Sequence, residues 1–364
     1  MTQSTPQLRP AVAALPAYVA GRRANSALTE PLASNESHFT PLPAVLAAVA
    51  AAAVRINRYP DMASAALRER IAQQCGVDAD QVAVGPGSVG VLSQLIAALC
   101  DPGDEVVFAW RSFEAYPILC EIAGARAVRV PLTAAEDHDL AAMAAAVTSR
   151  TKVVLLCSPN NPTGTGIDAD ALEDFLAAVP SNVLVVLDEA YREFCDDPLD
   201  SEALAKRFSN LCLLRTFSKA HGLAGLRVGY AIATPEIAEG VRRTQVPFSV
   251  SAIAEAAAIA ALDSIEEVRT RAASVASERR RVIATARTFG WTVPDGEANF
   301  FWIRTDDLRR GQLMAAFDAA DILVRGYAGD GVRITIAGPE ANDRVLAVLA
   351  DQAALLATDN SEAS

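Results

Sequence analysis

Between residues 81 and 219 the chain repeats one pattern: a short apolar run, a polar or glycine-rich break, then a longer stretch of helical period. The runs are "QVAVGPGS" (81–88), "DEVVFAWRSF" (104–113), "ARAVRVPL" (125–132), "KVVLLCSPNNPTG" (152–164), "NVLVVLDEAY" (182–191) and "LCLLRTFSK" (211–219). Four to six Val, Leu and Ile in a row, without polar alternation, predict strands buried on both faces. Stretches such as "SVGVLSQLIAALC" and "DALEDFLAAV" between them predict helices. Strand–helix alternation of this kind predicts an α/β fold with a mostly parallel central sheet covered by helices.

The flanks read differently. Residues 1–40 are rich in Pro, Ser and Thr and predict an arm that packs on a smaller domain. From 41, "LPAVLAAVAAAAV" predicts a helix of strong helix formers. Residues 251–289 predict a long helical region, followed by strands at "ANFFWIRT", "ILVRGY" and "VRITIA" and a closing helix near 340–356. The expected division is an arm at 1–40, a large domain at 41–250, and a linking helix with a small α/β domain at 251–364. No internal repeat is visible.

Composition narrows the function. A net charge of −12 argues against nucleic acid, whose phosphates are met by positive surfaces. Six cysteines without a C-x-x-C pair fit reduced thiols in a cytoplasmic setting. His38, His138 and His221 have no ligand spacing, so no metal site is expected. "AVAALPAYVA" is broken by Pro16 and too short to cross a membrane. Of 32 lysines and arginines only Lys152, Lys206 and Lys219 are lysines. Arginine serves wherever charge suffices, so a retained lysine invites a role in which the amine loses its proton.

In open parallel sheets the ligand sits at the carboxyl ends of the strands. Asp188 follows "VLVVL", "SPNNPTG" follows "KVVLLC", and Lys219 lies just beyond "LCLLRT". Taken singly, these are a helix N-cap, a proline–glycine turn and a solvated lysine. Taken in order, Asn-Pro-Thr-Gly at 161–164, Asp-x-x-Tyr at 188–191, Thr-x-Ser-Lys at 216–219 and Arg227 resemble the fold-type I pyridoxal phosphate enzymes of the aspartate aminotransferase superfamily.

That resemblance implies a role for each matched residue. Lys219 would join the aldehyde of pyridoxal 5'-phosphate as a Schiff base and then act as the base at substrate Cα. Asp188 would pair with the ring nitrogen, and Asn161 and Tyr191 would hydrogen-bond the phenolic oxygen. Thr216, Ser218, Arg227 and the "GPGS" loop with Ser88 and Val89 would hold the phosphate. Val89 and Gly90 stand where many relatives carry acidic residues, a change that backbone donation survives. Phe113 would stack on the ring, and Tyr59 in "NRYPD" would reach the cofactor of a neighbouring subunit, which implies a homodimer with shared sites.

"LASNES", "NRYPD", "TFSKAHGLAGLRVGY" and "VRITIA" resemble the histidinol-phosphate aminotransferase-like branch. "VGPGSVGVLSQ", "FAWRSFEAYPI" and "RGYAGDGVRITIA" are most similar to actinobacterial-type aromatic amino acid (phenylalanine) aminotransferases. The resemblance implies transamination between an aromatic amino acid and 2-oxoglutarate, with Arg333 clamping the α-carboxylate. Tyr18, Arg22, Arg23, Asn35 and Arg325 are positional candidates for the remaining substrate contacts. His221 stands where many relatives have tyrosine, and Gly326 where many have proline; His221 is expected to pack rather than to donate. Histidinol-phosphate transamination and decarboxylation of an amino acid phosphate are the alternatives. A regulator built on this fold is disfavoured, because about 40 residues before the first long helix are few for a DNA-binding module.

Overall fold

A computed structural model describes residues 6–15 and 29–362. Its strands are β1 (Glu30–Pro31), β2 (Val82–Gly85), β3 (Glu105–Trp110), β4 (Arg126–Pro131), β5 (Thr151–Cys157), β6 (Leu184–Asp188), β7 (Leu211–Thr216), β8 (Gly229–Ile232), β9 (Phe300–Arg304), β10 (Ile322–Leu323), β11 (Arg325–Tyr327) and β12 (Gly331–Thr335). All six runs read from the sequence are strands. Together with β8 they form a seven-stranded sheet in the order β2-β8-β7-β6-β5-β3-β4. Only β8 runs against its neighbours β2 and β7; the other pairings are parallel.

Side chains from this sheet leave alternately to two apolar layers. Val154, Leu156, Val185, Leu187, Leu211 and Leu213 join one, with residues of the helices Pro43–Ala53, Ala65–Cys75, Ala252–Asp263 and Ile265–Thr288. Val153, Leu155, Leu184, Val186, Cys212 and Leu214 join the other, against the helices Gly87–Leu99, Ala115–Ala123 and Pro235–Arg243. Both faces are therefore covered, which is why the runs lack alternation. Each fully buried Val or Leu contributes about 1.5–3 kcal/mol of transfer free energy, so the sheet is a rigid base for its loops.

Three features depart from the sequence reading. β8, "GYAI", opens with a glycine and a tyrosine and gives little strand signal of its own. It forms because β2 and β7 offer hydrogen-bonding edges on either side. The region 251–289 is two helices that break at Ser264, whose backbone leaves the helical region. "ILVRGY" is two strands: β10 pairs in parallel with β1 of the arm, and β11 pairs with β12. A three-stranded antiparallel sheet, β11-β12-β9, stands apart from the large sheet. No helix among the described residues is long and apolar enough to cross a membrane.

Candidate active site

β2, β3, β5, β6 and β7 point the same way, so the residues after each of them collect at one edge of the sheet. A cavity of about 410 Å³ opens there. It is bordered by Ser88 and Val89 after β2, Phe113 after β3, Asn161 after β5, Asp188 and Tyr191 at the end of β6, and Thr216, Ser218 and Lys219 at the end of β7. Asn35 from the arm and Arg325 and Arg333 from the small sheet close it.

One corner is built for an anion. The helix Gly87–Leu99 starts at the cavity, and no side chain caps its first turn. Its leading N–H groups and its dipole therefore face the cavity. Beside it, Arg227 Nη1 donates to Ser218 Oγ at 3.2 Å, and Thr216 Oγ1 donates to Ser218 Oγ at 3.0 Å. Two glycines make the approach possible. Gly87 has φ +77°, and a Cβ there would collide with the Arg227 guanidinium; a Cβ on Gly229 would run into the backbone of Ser88 and Gly87. Arg227 itself is held at φ +55°.

The same cavity is bordered by a buried carboxylate. Asp188 is 5% exposed, and its Oδ2 accepts from Tyr116 Oη at 2.8 Å while Oδ1 accepts from Ala190 N at 3.2 Å. Burial pushes its pKa up to about 6, against the pull of the Tyr116 hydrogen bond. Such a group is stabilised by a cation brought to it. Phe113 sits edge-on to Tyr116, with ring centroids 5.6 Å apart.

Lys219 borders the cavity within electrostatic reach of both Arg227 and Asp188. Its Nζ donates to Ser34 O at 3.0 Å, and its pKa is lowered to about 7, by burial first and then by Arg333. A lysine amine in this state is a nucleophile and a base at neutral pH. Tyr191 Oη accepts from Asn35 Nδ2 at 3.0 Å, which leaves its own proton to donate. Burial pushes the Tyr191 hydroxyl pKa up.

Arg333 has no carboxylate partner among the described residues. It is 6% exposed, and its Nη1 and Nη2 donate to neutral acceptors, Asn161 Oδ1 at 2.5 Å and Ala33 O at 2.7 Å. Its Nε has no hydrogen-bond partner in the structure. A buried guanidinium left this way costs free energy that an incoming carboxylate recovers. Arg325 of β11, which also borders the cavity, already donates to Glu114 Oε2 at 2.7 Å.

Not every candidate meets the cavity. Tyr59 is 83% exposed and stacks on Phe248 at 4.7 Å, outside it. His221 is buried against Phe217, with centroids 4.8 Å apart, and is not among the residues bordering the cavity. Tyr18, Arg22 and Arg23 lie outside the described residues. The sequence reading passed over Tyr116, Glu114 and Tyr327, all inside quoted motifs. Tyr116 sits three residues after Phe113, in the first turn of the helix Ala115–Ala123 that Phe113 precedes; nothing local marked its partner.

The strand order and this strand-end cavity, shared between two sheets, define an α/β enzyme of fold type I. The chain belongs to the aminotransferase class I and II family, whose model matches residues 30–349. It is 49% identical over 352 residues to the aromatic amino acid aminotransferase of Streptomyces avermitilis, covering 96% of this chain and 98% of that protein. The aromatic amino acid aminotransferase of Streptomyces coelicolor is 50% identical with the same coverage. Among solved structures, histidinol-phosphate aminotransferase from Sinorhizobium meliloti in complex with pyridoxal-5'-phosphate matches with a TM-score of 0.88 and 28% identity. That match covers 98% of this chain and 100% of the other.

Proposed function

We propose that this aminotransferase uses pyridoxal 5'-phosphate to move an amino group between an aromatic L-amino acid and 2-oxoglutarate. The observation that carries the reading is Lys219, a part-buried amine with its pKa lowered to about 7, bordering one cavity with an anion corner, a buried carboxylate and a guanidinium that has no carboxylate partner among the described residues. The residues present fit the cofactor. The helix start at Gly87, Thr216, Ser218 and Arg227 would hold its phosphate, in a space that a Cβ at Gly87 or Gly229 would fill. Asp188 would face its ring nitrogen, and Phe113 would lie against the ring.

When bound, the cofactor supplies an aldehyde that joins amines covalently and a ring that draws electrons from the substrate's Cα. The chain supplies the rest. Asp188 holds positive charge at the buried end of the cavity, with Tyr116 orienting its carboxylate. Asn161 and Tyr191 contribute hydrogen bonds from the side facing the arm. Lys219 Nζ takes the proton from substrate Cα, and its lowered pKa keeps a large neutral fraction at pH 7. Arg333 grips the α-carboxylate through its planar fork, which fixes the Cα–H bond relative to Lys219. Ser34 and Asn35 of the arm border the cavity, Ser34 O holding Lys219 Nζ and Asn35 holding Tyr191 Oη.

The naming of relatives at 49% and 50% identity supports an aromatic donor. An amino-donor panel with 2-oxoglutarate tests it: phenylalanine, tyrosine and tryptophan are expected to give the highest kcat/KM. A large preference for histidinol phosphate would replace this reading with the activity named for the Sinorhizobium meliloti protein. Release of CO₂ without a 2-oxo acid would mark a decarboxylase instead.

We further infer a homodimer in which Tyr59 serves the neighbouring site, supported by its exposure beside Phe248. We also propose the division into an arm (1–40), a large domain (41–250) and a linking helix with a small domain (251–364), with the seven-stranded sheet in the second and the three-stranded sheet in the third. Cys120, Cys157 and Cys212 are buried free thiols, as suits the cytoplasm.

A further inference from the structure

The two arginines that β11 and β12 bring to the cavity, Arg325 and Arg333, are held differently. Arg325 stands directly across from Arg333 in the antiparallel pair β11–β12. Directly opposed residues share one face of a sheet, so both guanidiniums leave toward the cavity. They flank the same ring: Arg325 and Arg333 lie 5.6 and 5.7 Å from the centroid of Tyr327. Two like charges so placed repel unless something compensates one of them. Arg333 has only neutral acceptors, whereas Arg325 is paired with Glu114 at 2.7 Å.

Glu114 comes from the turn after β3 of the large sheet. It precedes the helix Ala115–Ala123 and makes no capping hydrogen bond there. An acid at a helix start ordinarily serves the exposed N–H groups. This one reaches across to a residue 211 positions later. Its side chain is 30% exposed while that of Arg325 is 13% exposed, so Glu114 is the partner with solvent to move into.

We propose that Glu114 is a specificity-determining residue, the internal counter-ion of Arg325. With Glu114 in place, the distal end of the cavity is electrically balanced and accepts an aromatic side chain. A substrate with a second, distal carboxylate must displace Glu114 from the same guanidinium. Glu114 thereby favours aromatic over dicarboxylic ligands, and its mobility lets one cavity serve both halves of the exchange. The inference rests on the reading that an aromatic amino acid and a dicarboxylic 2-oxo acid take turns in this cavity.

The test uses the cofactor-loaded protein and two unreactive probes, glutarate for the dicarboxylate and 3-phenylpropanoate for the aromatic acid. Dissociation constants are read by calorimetry. In Glu114→Gln, glutarate is expected to bind about tenfold tighter, because one competing charge is gone, while 3-phenylpropanoate binds the same or more weakly. Arg325→Gln is expected to weaken glutarate by a similar factor, and adding Glu114→Gln to it should then change nothing. Glu114→Asp keeps the charge but shortens the reach, so a smaller gain for glutarate is expected; it serves as the second variant should Glu114→Gln fold poorly. An unchanged ratio of the two constants in Glu114→Gln overturns the role of Glu114. If glutarate fails to compete with 3-phenylpropanoate even in the parent protein, the shared-cavity reading itself falls, and the proposal with it.

Discussion

Tyr116 Oη donates to Asp188 Oδ2 at 2.8 Å, tying the helix after β3 to the end of β6. Both groups are buried, so the bond works in a low dielectric and its loss is not made up by water. Tyr116→Phe keeps the ring and removes the donor. A hydrogen bond to a charged group is worth about 1.5–3 kcal/mol, so cofactor affinity should fall roughly tenfold or more. The Tyr116 bond lowers the Asp188 pKa, and its removal raises that pKa beyond about 6. Asp188 is then less ionised at pH 6 than at pH 8, and the affinity loss should be larger at pH 6. Cofactor titration followed by tryptophan fluorescence at both pH values measures this. Equal losses would mean that Tyr116 only fills space.

Lys219 gives a pH dependence with a definite sign. Its pKa falls from the ordinary 10.5 to about 7 on folding. Between those values the unfolded chain binds more protons, so this group's contribution to stability improves as pH rises from 7 toward 10.5. Lys219→Met removes the buried charge. In cofactor-free protein it should melt higher than the parent at pH 7, and the advantage should shrink by pH 10. Thermal melts across that range check it; a constant difference would contradict the lowered pKa.

Gly87→Ala tests the anion corner. The φ of +77° costs an L-residue about 1–2 kcal/mol, and the added methyl displaces the Arg227 guanidinium. A lower Tm and weaker binding of inorganic phosphate to the cofactor-free protein are expected. Weakened phosphate binding with an unchanged Tm would assign the effect to Arg227 alone.

Arg333→Lys keeps the charge and loses the fork. Its hydrogen bonds to Asn161 and Ala33 cannot both be kept by one ammonium while it also holds a carboxylate in two places. The KM for the amino donor should rise on the order of a hundredfold, with kcat falling less, since the contact exists before the reaction as well as during it. Steady-state kinetics with phenylalanine decide the point.

Tyr59 tests the shared site. Refolding Lys219→Ala chains together with Tyr59→Ala chains should yield some sites intact in both residues, and more activity than either variant alone. No gain on mixing would remove Tyr59 from the cofactor site.

The apolar runs of the sequence specify the six expected strands because burial on both faces leaves no room for polar alternation. β8 escaped that logic, since its short "GYAI" is a strand only between two strands that accept it. The break at Ser264 escaped for the same kind of reason: helix propensity on both sides is high, and packing sets the bend.

By itself the sequence determined which chemistry is present: a lysine in an arginine-rich chain, an aspartate at a strand end, an Asn-Pro-Thr-Gly turn and a glycine-opened helix. Local pattern suffices there, because strand ends in a parallel sheet gather on one side. The tertiary structure alone decided the electrical state of those residues. Asp188 finds Tyr116 72 positions away, Arg333 finds Asn161 172 away, and Arg325 finds Glu114 211 away. Burial and partner charge set whether an amine is neutral or a guanidinium unpaired, and both are properties of the packed chain rather than of any segment of it.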